Sequence, residues 1–419
     1  MAGKDSNKDK EREKADRRRQ RFWDTAQLLL HCWLGGKFNF SYDESFEPAD
    51  INGPVLVAVN HASAYDPLFV GRAFKNKPLT FIASEHILRG KWDPFLDKNI
   101  SFIPHQKGAR GSRTALVAMK RIRKGESIFL AVEGEQTWNG RPLQVMPYTG
   151  KLVKGSGATL VTYLLEGAYL SVPRWALNAR RGKVYGRPAG VYSPETLKEM
   201  TEEEVEQLIA GDLAFDIWKW QKSQPDGPVR YKCSKGGNAD GLERSVFTCP
   251  SCGAFGTLKS KGDSIGCSCG FKLRMEDTGF FEEGGPFETV ADWEESDRKR
   301  LAERLDEIRR AERAEKKGRA AGEDVVFTDD AVVLHRIEEG HRDEEAARGK
   351  LTLSFSGGKF ILNISDCSFD LEDISNMTMV LAGRIVFSDR SGYYELLSDK
   401  KNRTNLRKYV IARELLFKE

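Results

Sequence analysis

Val55-Leu56-Val57-Ala58-Val59-Asn60-His61-Ala62-Ser63-Ala64-Tyr65-Asp66-Pro67 decides how the first half of this chain is read. Five consecutive apolar residues, three of them valine, predict a strand buried on both faces, as in a parallel sheet covered by helices. A polar turn follows and sets a histidine and an aspartate five residues apart at the strand's carboxyl end. A histidine can take a proton from a hydroxyl. A carboxylate beside it can fix its tautomer and stabilise the imidazolium that forms.

Outward from this stretch the chain alternates. Strands are expected at 79–83, 100–104, 127–132, 158–165 and 183–187. Helices are expected at 66–75, 85–97, 111–124 and 201–222, the last opened by Thr201 and Glu204 at capping-box spacing. An α/β domain over 37–222 follows from this alternation. Ile128-Phe129-Leu130-Ala131-Val132 delivers a second polar turn, Glu133-Gly134-Glu135-Gln136-Thr137. Sites in open α/β sheets gather at the carboxyl ends of strands, so the two turns are expected to face one crevice. Between them, Lys107, Arg110 and Arg113 stand in a glycine-punctuated basic loop suited to a phosphate.

Together these residues resemble the PlsC-like glycerolipid acyltransferase family, typified by 1-acyl-glycerol-3-phosphate acyltransferases, over roughly residues 22–222. Asn60-His61 through Asp66 matches its first block, N-H-x-S-x-x-D, including Ser63. Phe102-Ile103 and the basic loop sit at the second. Glu133-Gly134 to Thr137 sits at the third, usually F-P-E-G-T-R-S. Tyr169-Leu170-Ser171-Val172-Pro173-Arg174 fits the fourth, read as an apolar strand ending at proline. Two arginines of the family pattern are missing: this chain has Pro104-His105 in the second block and Gln136 in the third.

The resemblance implies a glycerolipid-acyltransferase-like sheet flanked by helices, and a fatty acyl transfer in phospholipid biosynthesis. His61 would be the general base and Asp66 its orienting carboxylate. Lys107, Arg110, Arg113, Glu133, Gly134 and Gln136 would meet the acceptor and its phosphate, with amides near Gly134 facing the oxyanion. Pro173 and Arg174 would lie on the acyl-donor side. The donor would be acyl-CoA or acyl-carrier protein and the acceptor a lysophospholipid. A non-catalytic lipid- or protein-binding adaptor on the same fold is the rival reading, and a nucleic-acid-associated protein led by its cysteine module is a third.

The 419 residues carry 66 Lys/Arg against 62 Asp/Glu, a formal excess of +4. Residues 1–21 alone hold nine basic and five acidic side chains. That segment therefore accounts for the whole imbalance, and the remainder offers no electrostatic footprint for nucleic acid. Residues 22–34 end at Gly35-Gly36 and place Phe22, Ala26, Leu29, Leu30 and Trp33 on one helical face. A basic lead-in and two tryptophans suit a helix lying at a membrane surface. No apolar run approaches the ~20 residues of a spanning helix. The expected place is therefore cytoplasmic, peripheral on the inner face of the membrane.

The second half reads as separate modules. A linker over 223–244 leads to a zinc ribbon over 245–283, where Cys249, Cys252, Cys267 and Cys269 form two knuckles suited to a structural Zn²⁺. No redox cofactor is expected. Residues 284–323 are a charged connector with a solvated helix over 293–321. From 324 to 419 the period changes to two and a helix closes the chain. This is a small β-rich domain that resembles a pleckstrin-homology-like module in element order.

Overall fold

The computed structural model describes residues 2–85, 98–105, 112–315, 324–337, 343–398 and 403–417. The chain forms two compact units. One runs to Arg174 and resumes over Ala179–Ser234; the other holds Trp175–Asn178 and the chain from Lys235 onward.

The first unit is built on seven strands: β1 (Phe40–Tyr42), β2 (Val55–Val59), β3 (Leu79–Ser84), β4 (Ser101–His105), β5 (Ser127–Ala131), β6 (Thr159–Glu166) and β7 (Val184–Tyr192). Their order is β1-β7-β6-β2-β5-β3-β4. Strands β2 to β6 run parallel, β7 is antiparallel to β6, and β1 pairs parallel with β7. All five residues of β2 are buried, which is why it reads as an unbroken apolar run. The pairing of β6 with β7 shifts register between Thr162 and Tyr163, and Tyr163 faces Pro188, which has no N–H to give.

Helices cover the sheet: α1 (Ala2–Phe38), α2 (Asp66–Ala73), α3 (Ser112–Ile122), α4 (Thr149–Ser156), α5 (Glu202–Asp212) and α6 (Ile217–Lys222). Leu56, Ala58, Ile128, Leu130 and Leu160 of the sheet form one core with Ala118 and Ile122 of α3, Leu152 and Val153 of α4, and Val205 and Ile209 of α5.

Several expectations are corrected. Helix α1 does not stop at Gly35-Gly36 but continues to Phe38. Burying Leu34 and Phe38 gains about 1.5–3 kcal/mol each, more than the ~1 kcal/mol that each helical glycine costs. Its inward side is Trp23, Leu34 and Phe38, whereas Leu29 and Trp33 of the expected face are exposed, with Leu28 beside them. The helix expected over 201–222 is two, because Asp216 caps α6 by accepting from the N–H groups of Trp218 and Lys219. The capping box of Thr201 and Glu204 is present at α5. Tyr169–Ser171 is not a strand: Ala168–Ser171 is a short helix following β6. The helix expected over 85–97 falls almost wholly outside the described residues. The stretch 223–244 is packed rather than free. Tyr231 is fully buried, with its hydroxyl donating to the Lys183 carbonyl, and Ala239 and Leu242 are buried in turn.

In the second unit, β8 (Leu258–Lys261), β9 (Ser264–Cys267) and β10 (Lys272–Arg274) make a small antiparallel sheet. Helix α7 (Val290–Glu315) follows. Then come seven strands, β11 (Asp324–Ile337), β12 (Asp343–Ser356), β13 (Lys359–Ile364), β14 (Cys367–Asp370), β15 (Ser375–Met379), β16 (Arg384–Ser388) and β17 (Tyr393–Ser398), closed by α8 (Arg407–Leu416). Their order is β14-β13-β12-β11-β17-β16-β15, antiparallel throughout.

Helix α7 is not solvated all round. Trp293, Leu301, Leu305 and Ile308 are buried, and Trp293 packs among Phe271, Phe281 and Phe287. Buried charges on this helix are partnered. Asp297 accepts from the N–H groups of Phe247 and Thr248, and Glu294 pairs with Arg407 of α8 and with Arg298. Around Phe327 of β11, Phe247, Phe255 and Tyr409 meet edge to face or at a tilt, and Lys408 pairs with Asp329.

Candidate active site

Strands β2 and β5 are parallel neighbours, with Val59 opposite Ala131. Their following turns therefore emerge side by side at one edge of the sheet. The Thr137 N–H donates to the His61 carbonyl and ties the second turn to the first. Asn60 anchors the first turn on its other side: its amide accepts from the Leu165 N–H and donates to the Leu165 carbonyl of β6.

His61 Nδ1 lies 2.8 Å from Asp66 Oδ2. Asp66 is the first residue of α2 and is fully buried, whereas the His61 side chain is 20% exposed. The carboxylate also accepts from the Ala62 N–H, the Ser63 N–H and the Ser63 hydroxyl. With donors converging on it, Asp66 has acceptor roles only, so the ring proton sits on Nδ1 and Nε2 keeps the basic lone pair. The Ser63 hydroxyl in turn accepts from the Tyr65 N–H. Asn60, Ser63 and Asp66 of the motif are thus the scaffold that aims one imidazole.

A recess opens at this edge, with about 270 Å³ of free space counting its mouth. His61, Glu133, Thr137, Arg141, Tyr169 and Ile217 line it with their neighbours. Burial pushes the Glu133 carboxyl up to about 8, against the pull of the Leu143 and His61 N–H groups and with help from the Asp66 charge. Among the described residues, its buried Oε2 has no hydrogen-bond partner. Near pH 7 Glu133 is therefore largely the neutral acid, with a proton to offer.

The remaining expected residues are placed as follows. Lys107 and Arg110 lie outside the described residues. Arg113 is exposed on α3. The Gly134 N–H is not directed to an oxyanion: it donates to the Ala131 carbonyl at 3.1 Å and closes the turn. Gln136 offers its carbonyl to Arg174. Arg174 is buried, paired with Glu135 and stacked 4.5 Å from the Trp138 ring, so it clamps the turn. Pro173 beside it is buried. His105 reaches Thr114 of α3 at 3.2 Å. Thr137 belongs to the turn expected to face the crevice, whereas Arg141, Tyr169 and Ile217 were not expected at the recess. Tyr169 stands in the sequence only as the first residue of the fourth block, and the signal for Arg141 was the Asn139-Gly140 punctuation of the loop after β5.

A second cluster lies in the other unit. The Sγ atoms of Cys249, Cys252, Cys267 and Cys269 all fall within 4.8 Å of one another. Cys249–Cys269 is 3.7 Å and Cys252–Cys267 is 3.9 Å, and none of these thiols is in a disulfide. Thiolates 2.3 Å from a tetrahedral ion stand about 3.8 Å apart, so the spacing fits one metal ion. Among the described residues no helix is long and apolar enough to cross a membrane.

The acyltransferase family model matches residues 37–165. No curated protein sequence matches the chain. Among solved structures, the 1-acyl-sn-glycerophosphate (LPA) acyltransferase PlsC from Thermotoga maritima is similar at 16% identity, over 50% of this chain and 80% of that one, with a TM-score of 0.40. The acyltransferase match covers the segment that holds the His61–Asp66 pair and agrees with the family that its first motif resembles.

Proposed function

We propose that the first unit moves a fatty acyl group from a thioester, acyl-CoA or acyl-carrier protein, to the hydroxyl of a lysophospholipid such as 1-acyl-glycerol-3-phosphate, in phospholipid biosynthesis. The observation that carries this is the 2.8 Å contact of His61 Nδ1 with buried Asp66 beside the Glu133 turn. His61 Nε2 takes the proton of the acceptor hydroxyl as its oxygen attacks the thioester carbonyl. Asp66 stabilises the imidazolium. Collapse of the tetrahedral adduct breaks the C–S bond, and Nε2 returns the proton to the departing thiolate. The products are an ester and a free thiol. The thioester is already activated, so no acyl-enzyme is needed. Neutral Glu133 donates a hydrogen bond to an acceptor oxygen.

Leu28 and Leu29, each 71% exposed, form the apolar side that α1 turns away from its own unit, and Trp33, which packs on Phe38 and Tyr65, keeps 42% of its surface exposed near them. With the basic residues before them, they suit peripheral binding at the cytoplasmic face of the inner membrane. Cys249, Cys252, Cys267 and Cys269 would hold Zn²⁺, which cross-links the ribbon and takes no part in acyl transfer. The final module is PH-like in element order.

Purified full-length protein with a labelled acyl donor and a lysophospholipid panel tests the reading. Wild type should form labelled diacyl product and His61→Ala should not. Equal turnover by the two, or none by wild type on any acceptor, would overturn it. Co-sedimentation with anionic vesicles should weaken when Leu28, Leu29 and Trp33 are all changed to Gln.

A further inference from the structure

We infer that the second unit holds a phosphate-monoester site in the cavity between the cysteine module and the start of α8, with Lys259, Arg403 and Lys408 as its cations. The cavity has about 330 Å³ of free space counting its mouth, within the range of small-molecule sites. It lies wholly in the second unit, whereas the His61 recess belongs to the first.

Its charges do not cancel. Lys259, Arg403 and Lys408 line it against Glu243 and Asp329. Both acids are already answered. Glu243 accepts from Arg403 Nη1 at 3.3 Å and from the Ser260 hydroxyl. Asp329 Oδ2 pairs with Lys408 Nζ at 2.6 Å and accepts from the Tyr409 hydroxyl at 2.6 Å. The donors are not used up. Arg403 spends only Nη1, on Glu243 and the Ser260 carbonyl, so among the described residues its Nε and Nη2 have no hydrogen-bond partner. The ammonium of Lys259, on an exposed position of β8, has no hydrogen bond or ion pair among those residues. One positive charge is left over.

Lys408 is held differently. Its side chain is 2% exposed, and its three N–H donors have one ion-pair partner, Asp329. Burial pulls this ammonium below its ordinary pKa and the Asp329 charge pushes back. An anion in the cavity would add to that push. The Lys408 N–H donates to Asn405 Oδ1, and the Asn405 amide donates to the Val246 carbonyl, which fixes the backbone here. Gly256 has φ +70°, and a Cβ there would stand 3.3 Å from Lys408 Nζ, so a side chain at that position would crowd the ammonium. A guanidinium edge beside two ammonium groups, held on a fixed backbone, suits the several oxygens and double charge of a phosphate monoester better than a single carboxylate.

The experiment titrates inorganic phosphate into the full-length chain, Lys259→Glu and Arg403→Gln by calorimetry at constant ionic strength. Wild type should bind saturably, and acetate should not compete. Lys259→Glu should weaken binding about 5–30-fold, the effect of an exposed charge first lost and then reversed. Arg403→Gln should weaken it about 10–100-fold, the range of a lost charge-assisted hydrogen bond. Arg403→Gln also leaves buried Glu243 without its cation; if that variant does not fold, Lys259→Glu decides. No saturable binding by wild type, or equal binding by wild type and Lys259→Glu, would overturn the site. Two further arms name the source of the phosphate. A lipid headgroup predicts that wild type co-sediments better with phosphatidic acid vesicles than with phosphatidylglycerol vesicles of equal charge, and that Lys259→Glu removes the preference. A soluble ester predicts no such preference, and binding of glycerol 3-phosphate with the same dependence on Lys259.

Discussion

Both units bury carboxylates, but to opposite ends. In the first, Asp66 is surrounded by the donors of Ala62 and Ser63 and has one face left for an imidazole that reaches solvent. The burial of that charge directs a reactive group. In the second, buried Asp297 and Glu294 and half-buried Asp329 are answered by backbone N–H groups, Arg407 and Lys408. Here buried charge joins the cysteine module, α7 and the β-rich sheet. A carboxylate with strong partners is therefore not by itself a sign of catalysis. What distinguishes Asp66 is that its partner is an imidazole that stands, part-exposed, at the open edge of a sheet.

The largest effect expected from breaking this contrast is in the second unit. A strong chelator, or Cys252→Ser, should abolish its protease resistance. Metal binding in such modules is worth on the order of 10 kcal/mol, comparable with the whole stability of a domain. Persistent resistance in the chelator would show the cysteines to be dispensable. Next, His61→Ala should lower turnover by about 10²–10⁴-fold with little change in melting temperature. A matching loss of stability would make His61 structural, as the second unit's charges are. Third, Arg407→Met leaves Glu294 without its chief partner and should cost about 3–5 kcal/mol in urea unfolding. The double variant Glu294→Leu, Arg407→Met should cost less than the single one, and an equal cost would show that the pair is not coupled.

The smallest effect sharpens the comparison through pH. The Glu133 carboxyl titrates near 8 when folded against an ordinary value of 4.5. Between those values the folded chain holds a proton that the unfolded chain has lost, so stability falls as pH rises through that window. Glu133→Gln should flatten the fall, read from melting curves at pH 5 and pH 8. Parallel pH dependence in the two proteins would place the titration elsewhere.

The sheet was legible because strands buried on both faces leave continuous apolar runs, and 55–59 is one. The His61–Asp66 pair was legible because its spacing spans a single strand-to-helix turn. The cysteine cluster was legible from its knuckles. Elsewhere, partners distant in sequence decided the outcome. The inward side of α1 uses Trp23, donating to the Lys75 carbonyl, and Gln27, donating to the Gly71 carbonyl, while two leucines face out. Helix α7 reads as a solvated face because its buried acids look like surface acids until Arg407, 113 residues on, is placed beside Glu294. Ile217 and Trp218 escaped notice because they reach the Asn139 and Gly140 carbonyls from far along the chain.

The Glu294–Arg407 bridge also has a consequence for biosynthesis. Helix α8 is translated after every other element of the second unit, and at about 5–20 residues per second those 113 residues take on the order of ten seconds. Through that interval α7 has left the ribosome with Arg298 beside Glu294 but without Arg407, its partner from α8. The second unit therefore closes its ionic core only as α8 emerges, whereas the strands that frame His61 are all synthesised before it begins.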